Sequence, residues 1–395
     1  MASGRARLGP FAGSLPAPSF LAAFLVALAV HAAFVLLAGV SHGGDTVSYS
    51  EGADQLLATG FDYRAVIGAT VTDYPPLLYL LFGTLVAALK LLFGSGWGSA
   101  LIVLNVAAAA ATAGWLTRLA WRASGSAAAA WAALALFLAA FDIVRWTAFL
   151  LSDTTFLFVA FAVFGLSAQR ILAGRGRWWP VAALALAAAF YRPTGIVLLP
   201  CVAWAWLLAR TAPGRLRKAA AAGAVAAAVA GTLLFAALMQ RPGLWPVAQL
   251  ADTVEGTARL YAIGEVVSAR PDTYRAPPVS LLDYAAVSAD RFLHFFAVTA
   301  GDFSLAHSLV NLVFFLPAYA LAAWFLFALA TGRDGLEQRG RDVFLAALAF
   351  LAATAAFHGL LQVDFDWRYR LPVLPHLVLL AAGGVAALAR RTARG

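Results

Sequence analysis

Residues 20–40 read Phe-Leu-Ala-Ala-Phe-Leu-Val-Ala-Leu-Ala-Val-His-Ala-Ala-Phe-Val-Leu-Leu-Ala-Gly-Val, and residues 43–51 read Gly-Gly-Asp-Thr-Val-Ser-Tyr-Ser-Glu. The first stretch is apolar on every face apart from His31, and it matches the ~20 helical residues that cross a hydrocarbon core. It carries no small-residue cleavage pattern behind a short apolar core, so it reads as a retained helix rather than a removed signal. The second stretch opens with Asp45, the first acidic residue of the chain. A carboxylate where a chain leaves lipid is costly enough to imply a use.

Blocks like the first recur through the 395 residues, of which 63% are hydrophobic and 12% charged, with mean hydropathy +0.82. The runs are continuous rather than alternating, which disfavours a barrel. The expected fold class is all-α, a polytopic transmembrane helical bundle formed by one domain over 1–395. The lone Cys201 lies in an apolar run, so no disulfide forms within the chain, and no Cys/His cluster has metal-site spacing. The net charge of +9 reflects the basic bias of cytoplasmic loops rather than a nucleic-acid partner.

That bias orients the helices. Six clusters, around Arg5, Arg118, Arg170, Arg210, Arg339 and Arg391, hold 17 of the 28 basic residues and only three acids, Asp334, Glu337 and Asp342. They are assigned to the cytoplasm and the acid-bearing loops to the outside. Two apolar stretches, 75–93 and 100–119, then lie between the outer Asp45 and the cytoplasmic Arg118. Two crossings would put Arg118 outside, so one stretch is expected not to cross. The stretch 75–93 opens Pro-Pro, carries Lys90 and ends Gly-Ser-Gly-Trp, which suits an amphipathic juxtamembrane helix on the outer surface; the alternative is an ordinary hairpin that breaks the charge rule. Alternation gives about ten spans with both ends inside, an outer loop at 41–99 and a long outer loop at 240–304. No internal repeat is visible.

Unusual polar groups then share one face: Asp45 and Tyr49; Tyr74-Pro75-Pro76-Leu77; Ser152-Asp153; Arg192-Pro193-Thr194-Gly195; and Arg368-Tyr369-Arg370-Leu371-Pro372, preceded by Asp364 and Asp366. Carboxylates beside arginines can bind a lipid phosphate and activate a hydroxyl next to it. Each also has a plainer reading. Asp45 can cap a helix, in a box with Ser48 and Glu51, and Asp153 can cap its own. Arg192 can snorkel. Arg368 and Arg370 can neutralise Asp364 and Asp366. His358 and His376 read as hydrogen-bonded interior residues.

In order and topology these motifs resemble the C-type (GT-C) membrane glycosyltransferases, nearest the protein O-mannosyltransferase, aminoarabinose transferase and mannosyltransferase branches. The resemblance implies a sugar, mannose or another hexose or pentose, moved with inversion from a polyprenyl-phosphate donor to a hydroxyl of a glycan, lipid or protein acceptor. The site would lie on the extracytoplasmic face of the cell membrane. Asp45 would be the catalytic base with Asp153 assisting. Tyr49, Tyr74, Arg192, Arg368, Tyr369 and Arg370 would bind substrate. No cofactor is implied, and a divalent metal is not favoured. One departure matters: the aminoarabinose transferases carry a lysine just before the Pro-Pro pair, where this chain has Tyr74. Arginines must then supply the positive charge. The rival functions are a lipid or lipid-linked-sugar flippase, a membrane acyltransferase and a structural subunit. Transporters keep charges near the midplane in repeated halves, whereas here they gather at one boundary.

Overall fold

Helices in this chain start and stop where serine, proline and glycine interrupt the apolar runs. The computed structural model describes residues 16–68, 76–211, 213–214, 223, 281–300, 303–361 and 367–393. Tyr74, Asp364, Asp366, the apolar stretch 219–239 apart from residue 223, and most of the loop 240–304 lie outside the described residues.

Fourteen helices are described: α1 (Phe20–Ala38), α2 (Thr46–Ala58), α3 (Tyr63–Gly68), α4 (Leu80–Phe93), α5 (Trp97–Ser124), α6 (Ala127–Ala139), α7 (Phe141–Trp146), α8 (Asp153–Ala173), α9 (Trp179–Ala189), α10 (Leu198–Arg210), α11 (Leu281–Phe295), α12 (Leu305–Ala330), α13 (Gln338–Leu361) and α14 (Leu374–Thr392). Short 3-10 turns at Pro76–Tyr79, Pro193–Val197 and Trp367–Val373 precede α4, α10 and α14. Among the described residues there is no strand, only one bridge between Ser41 and Phe149. Ser19, Ser126 and Ser304 cap α1, α6 and α12 by accepting from backbone amides in the first turn, which satisfies donors no helix can satisfy itself.

Seven helical segments are long and apolar enough to cross a membrane: Phe20–Ala38, Leu80–Ser124, Asp153–Ala173, Pro193–Arg210, Leu305–Ala330, Gln338–Leu360 and Arg368–Thr392. α6 and α9 are shorter apolar helices. The bundle has a centre and a rim. In α14, 89% of the apolar window is buried, against 17% in α1. Leu21, Leu25, Leu36 and Leu37 of α1 stay exposed, a pattern that water would penalise and lipid would not. α14 sits close to α12 because Gly384 lets the backbones meet: a Cβ there would collide with the Leu321 carbonyl. Small residues at such crossings are the usual device of helix packing in lipid.

The two ends of the bundle are chemically distinct. At the basic end, Arg390 donates to the carbonyls of Asp334 and Ser124, Arg341 pairs with Asp334, and Arg339 donates to the Leu172 carbonyl. Those bonds tie together the ends of α5, α8 and α14 and the α12–α13 turn. At the opposite end, Ser41 exchanges backbone hydrogen bonds with Ala148 and Leu150, and Asn105 donates to the Phe149 carbonyl. The end of α1, the early turns of α5 and the α7–α8 link therefore meet there. Both ends of α4 also lie on that side. Leu81 donates to the Phe190 carbonyl at its start, and beyond its finish Gly98 lies against Leu150. Along its length α4 packs on α2, with Lys90 bonded to Asp54 at 2.7 Å and to Ser50.

Candidate functional site

Six chain segments supply the polar groups at the end opposite the basic turns. Asp45 stands at the N-terminal boundary of α2, but its side chain makes no capping hydrogen bond. Thr46 bonds outside the helix, accepting from the Gly43 amide and donating to the Leu150 carbonyl. The expected capping box with Ser48 and Glu51 thus gives way to a tie between α2 and the α7–α8 link. Relieved of capping, the Asp45 carboxylate turns to Arg368, with Oδ2 3.1 Å from Nη1.

Asp153 likewise does not cap. Ser152 takes the N-cap position of α8, again without a side-chain cap, and Asp153 is the first helical residue. Its Oδ1 lies 2.6 Å from Arg192 Nη1, a charge contact without good hydrogen-bond alignment, while Oδ2 has no hydrogen-bond partner among the described residues. Arg192 is aimed by the turn before α10. Its amide bonds the Ala188 carbonyl, the Gly195 amide bonds the Arg192 carbonyl, and Gly195 is pressed so close to Ala188 that a Cβ would collide with its carbonyl. Arg192 therefore points inward and does not snorkel; it is buried, as is Asp153.

The two ion pairs are linked. Arg192 and Arg368 both lie over the ring of Tyr369, with guanidinium carbons 5.8 and 5.4 Å from its centroid. His358 stacks on Tyr369 at 4.8 Å and on Phe295 at 5.6 Å. Neither His358 ring nitrogen has a hydrogen-bond partner among the described residues, so this histidine supports by stacking rather than by the hydrogen bonds its sequence position suggested. On the other side, Ser152 Oγ is 3.3 Å from Arg192 Nη1 and 3.2 Å from the Tyr49 hydroxyl. Tyr49 packs on Tyr79 and Phe82, and Phe82 on Tyr191. Tyr191 donates to Thr155 Oγ1 at 2.6 Å.

The electrostatics assign tasks. Burial pushes the Tyr49 phenol well up, reinforced by Tyr79, Asp153 and Asp45 and opposed by Arg192. Burial also raises Tyr79, with Arg192 and Arg368 opposing and Asp45 and Asp153 adding. Both phenols stay protonated at neutral pH, so they can donate hydrogen bonds but not serve as bases. The carboxylates are left for that role, and they differ. The Asp45 side chain is 38% exposed and that of Asp153 2%; of the two, only Asp45 is open to solvent.

Arg370, expected beside Arg368, lies elsewhere. Its Nε and Nη2 donate to Asp142 Oδ2 at 3.1 and 2.9 Å, its Nη1 donates to the Ala297 carbonyl, and it stacks on Phe315. Asp142 is buried, with His307 Nε2 4.0 Å from its Oδ1. Sequence reasoning attached no role to Asp142, although an acid interrupting the apolar run just before Trp146 was a signal of the same kind as Asp45. Tyr79 was missed for another reason: Tyr74 is the more conspicuous tyrosine of the same Tyr-Pro-Pro segment. Among the described residues no three His, Cys, Asp or Glu side chains converge as a metal site would require.

No family model matches the chain, and neither a curated relative nor a solved structure matches it.

Proposed function

We propose that the protein is an integral membrane glycosyltransferase of C-type architecture that moves a sugar from a polyprenyl-phosphate carrier to an acceptor hydroxyl, with inversion, on the outer face of the membrane. The single observation that carries this reading is the meeting of Asp45–Arg368 and Asp153–Arg192 around Tyr369, from segments more than 300 residues apart in the chain. Ten crossings would come from the seven long segments, the shorter α6 and α9, and the apolar stretch 219–239. The contacts that hold both ends of α4 on one side favour α4 as the juxtamembrane helix.

In this mechanism Asp45 removes the proton of the acceptor hydroxyl as its oxygen attacks the anomeric carbon. The bond from that carbon to the phosphate oxygen breaks, and the electron pair leaves with the lipid phosphate. Arg368 stabilises the charge that develops there, with the Tyr79 and Tyr49 hydroxyls available as neutral donors. Asp153 and Arg192 hold Tyr369 and Ser152 in place. Arg370, committed to Asp142, positions the start of α14 rather than touching the donor.

The test is transfer of radiolabelled sugar from a panel of polyprenyl-phosphate sugars in membranes containing wild-type or Asp45→Asn protein. Losing a general base removes ~10²–10⁴ of rate, and the exposed site should leave folding intact. A variant that transfers like wild type would refute the assignment and move a flippase reading ahead.

A further inference from the structure

We propose that a cleft at the basic end of the bundle, among α1, α5 and α8, binds the phosphate headgroup of an anionic phospholipid from the leaflet on that side. It lies far from the site described above and does not depend on it. The cleft holds about 270 Å³ and is lined by Phe20, Trp115, Arg118, Leu119, Arg122 and Gln169.

Its shape follows from local sequence. Gly165 lets Trp115 lie flat against α8, and Gly114 lets the first turn of α1 close on α5; a Cβ at either position would crowd Trp115 or Phe20. Arg118 and Arg122 are four residues apart and so share one face of α5. Both are exposed, and neither makes a hydrogen bond or ion pair among the described residues. Arg170, Arg339, Arg341 and Arg390 at the same end are instead committed to protein oxygens. Among the described residues no acid lines the cleft, and no acid occurs in the chain before Asp45. Asp334 serves Arg341 and Asp342 serves Gln338. Two exposed guanidiniums without an internal anion leave positive charge available to an external one.

The walls choose its source. Phe20, Trp115 and Leu119 give the cleft an apolar side continuous with the exposed Leu21 and Leu25 of α1. Trp121 and Trp131 are exposed at the same end, and Trp131 Nε1 donates to the Pro16 carbonyl. Tryptophan at this boundary marks headgroup depth. A free phosphate would use the arginines and leave the apolar wall idle, whereas a phospholipid uses both. Basic pockets between helices at a membrane surface bind such headgroups.

The experiment uses the full-length protein, delipidated in a zwitterionic detergent. It is titrated with phosphatidylglycerol, phosphatidylcholine or inorganic phosphate, with bound lipid read by native mass spectrometry and thermal midpoint read in parallel. Phosphatidylglycerol should bind and raise the midpoint, and phosphatidylcholine should do so weakly. Arg118→Gln/Arg122→Gln should weaken phosphatidylglycerol binding ~30-fold, while Arg175→Gln/Arg177→Gln, outside the cleft, should bind as wild type does. Raising salt should weaken wild-type binding more than that of the cleft variant. The proposal is overturned if the cleft variant binds phosphatidylglycerol like wild type, or if inorganic phosphate alone reproduces the shift. Should the double variant purify poorly, each single Gln variant read by mass spectrometry carries the same criterion.

Discussion

Asp153→Asn isolates the energetics of the buried ion pair. The side chains of Asp153 and Arg192 are 2% and 4% exposed, with 2.6 Å between the charged atoms. Asparagine keeps the shape and removes the charge, leaving the Arg192 guanidinium buried. Its other neighbours are the Ser152 hydroxyl and the Tyr369 ring, which solvate a cation but cannot neutralise it. Removing one partner of such a pair costs ~3–5 kcal/mol. Neutralising the second partner as well should restore much of that, because Asp153→Asn/Arg192→Gln leaves two polar groups of similar size and no net charge. The assay is a double-mutant cycle on purified protein by reversible denaturant unfolding in detergent, with Asp45→Asn as a control. The control should shift stability by no more than ~1 kcal/mol, since a partly exposed pair contributes little. A single-variant cost below ~1 kcal/mol, or a double variant as damaged as the two singles added together, would show that the pair is not closed in the folded protein.

Arg368→Gln should weaken polyprenyl-phosphate donor binding by about 10- to 100-fold, because hydrogen bonds to a charged group contribute ~1.5–3 kcal/mol; unchanged donor affinity in a binding assay would remove Arg368 from the phosphate site. With Cys201 replaced, single cysteines at the exposed Ala58 and Ser95 positions should both react with an impermeant reagent from the same side of sealed vesicles. Labelling from opposite sides would make α4 a crossing helix. The raised Tyr49 and Tyr79 phenols set the sign of an alkaline limb. A phenol whose folded value exceeds its unfolded value of 10.0 contributes stability that is fully present below pH ~10 and is lost as pH rises above it. Tyr79→Phe should therefore flatten the loss of stability between pH 10 and 12, and an unaltered limb in an alkaline unfolding series would contradict the raised Tyr79 phenol.

How far the sequence could be read depends on what each signal was made of. Apolar block length decides helix and bundle because the constraint is local and the bilayer sets its scale. The prediction that one of two stretches before Arg118 does not cross rested on charge parity; in the structure Leu81 and Gly98 at the two ends of α4 contact Phe190 and Leu150. The motif residues Asp45, Tyr49, Asp153, Arg192, Arg368 and Tyr369 were each visible, but their pairing was not. Which arginine faces which carboxylate is a tertiary choice, and sequence proximity misleads: Arg368 and Arg370 are two residues apart and serve different acids. The 3-10 geometry of Trp367–Val373 separates them where an alternating reading would pair them. The partner of Asp142 was illegible for the same reason, since it lies 228 residues away. Capping was the wrong local explanation for Asp45 and Asp153: neither α2 nor α8 has a side-chain cap, and both carboxylates face arginines instead.

The two ion pairs differ most in what an arriving lipid phosphate can do to them. Separating Asp45 from Arg368 costs little, because the pair is partly open to solvent, where such contacts contribute ~0–1 kcal/mol. Separating Asp153 from Arg192 strands a buried charge at ~3–5 kcal/mol. In the proposed reaction a donor phosphate arriving beside Asp45 would therefore draw Arg368 toward itself and leave Arg192 where it is. In the proposed reaction that exchange has a consequence. Oδ2 of Asp45, 3.1 Å from Arg368 Nη1, becomes a freer proton acceptor once the donor's charge has taken the guanidinium. Base and donor are thereby coupled by a bias of at most ~1 kcal/mol. The buried pair supplies the fixed reference for this movement, because Arg192 and Arg368 share the Tyr369 ring and only one of them can leave it cheaply.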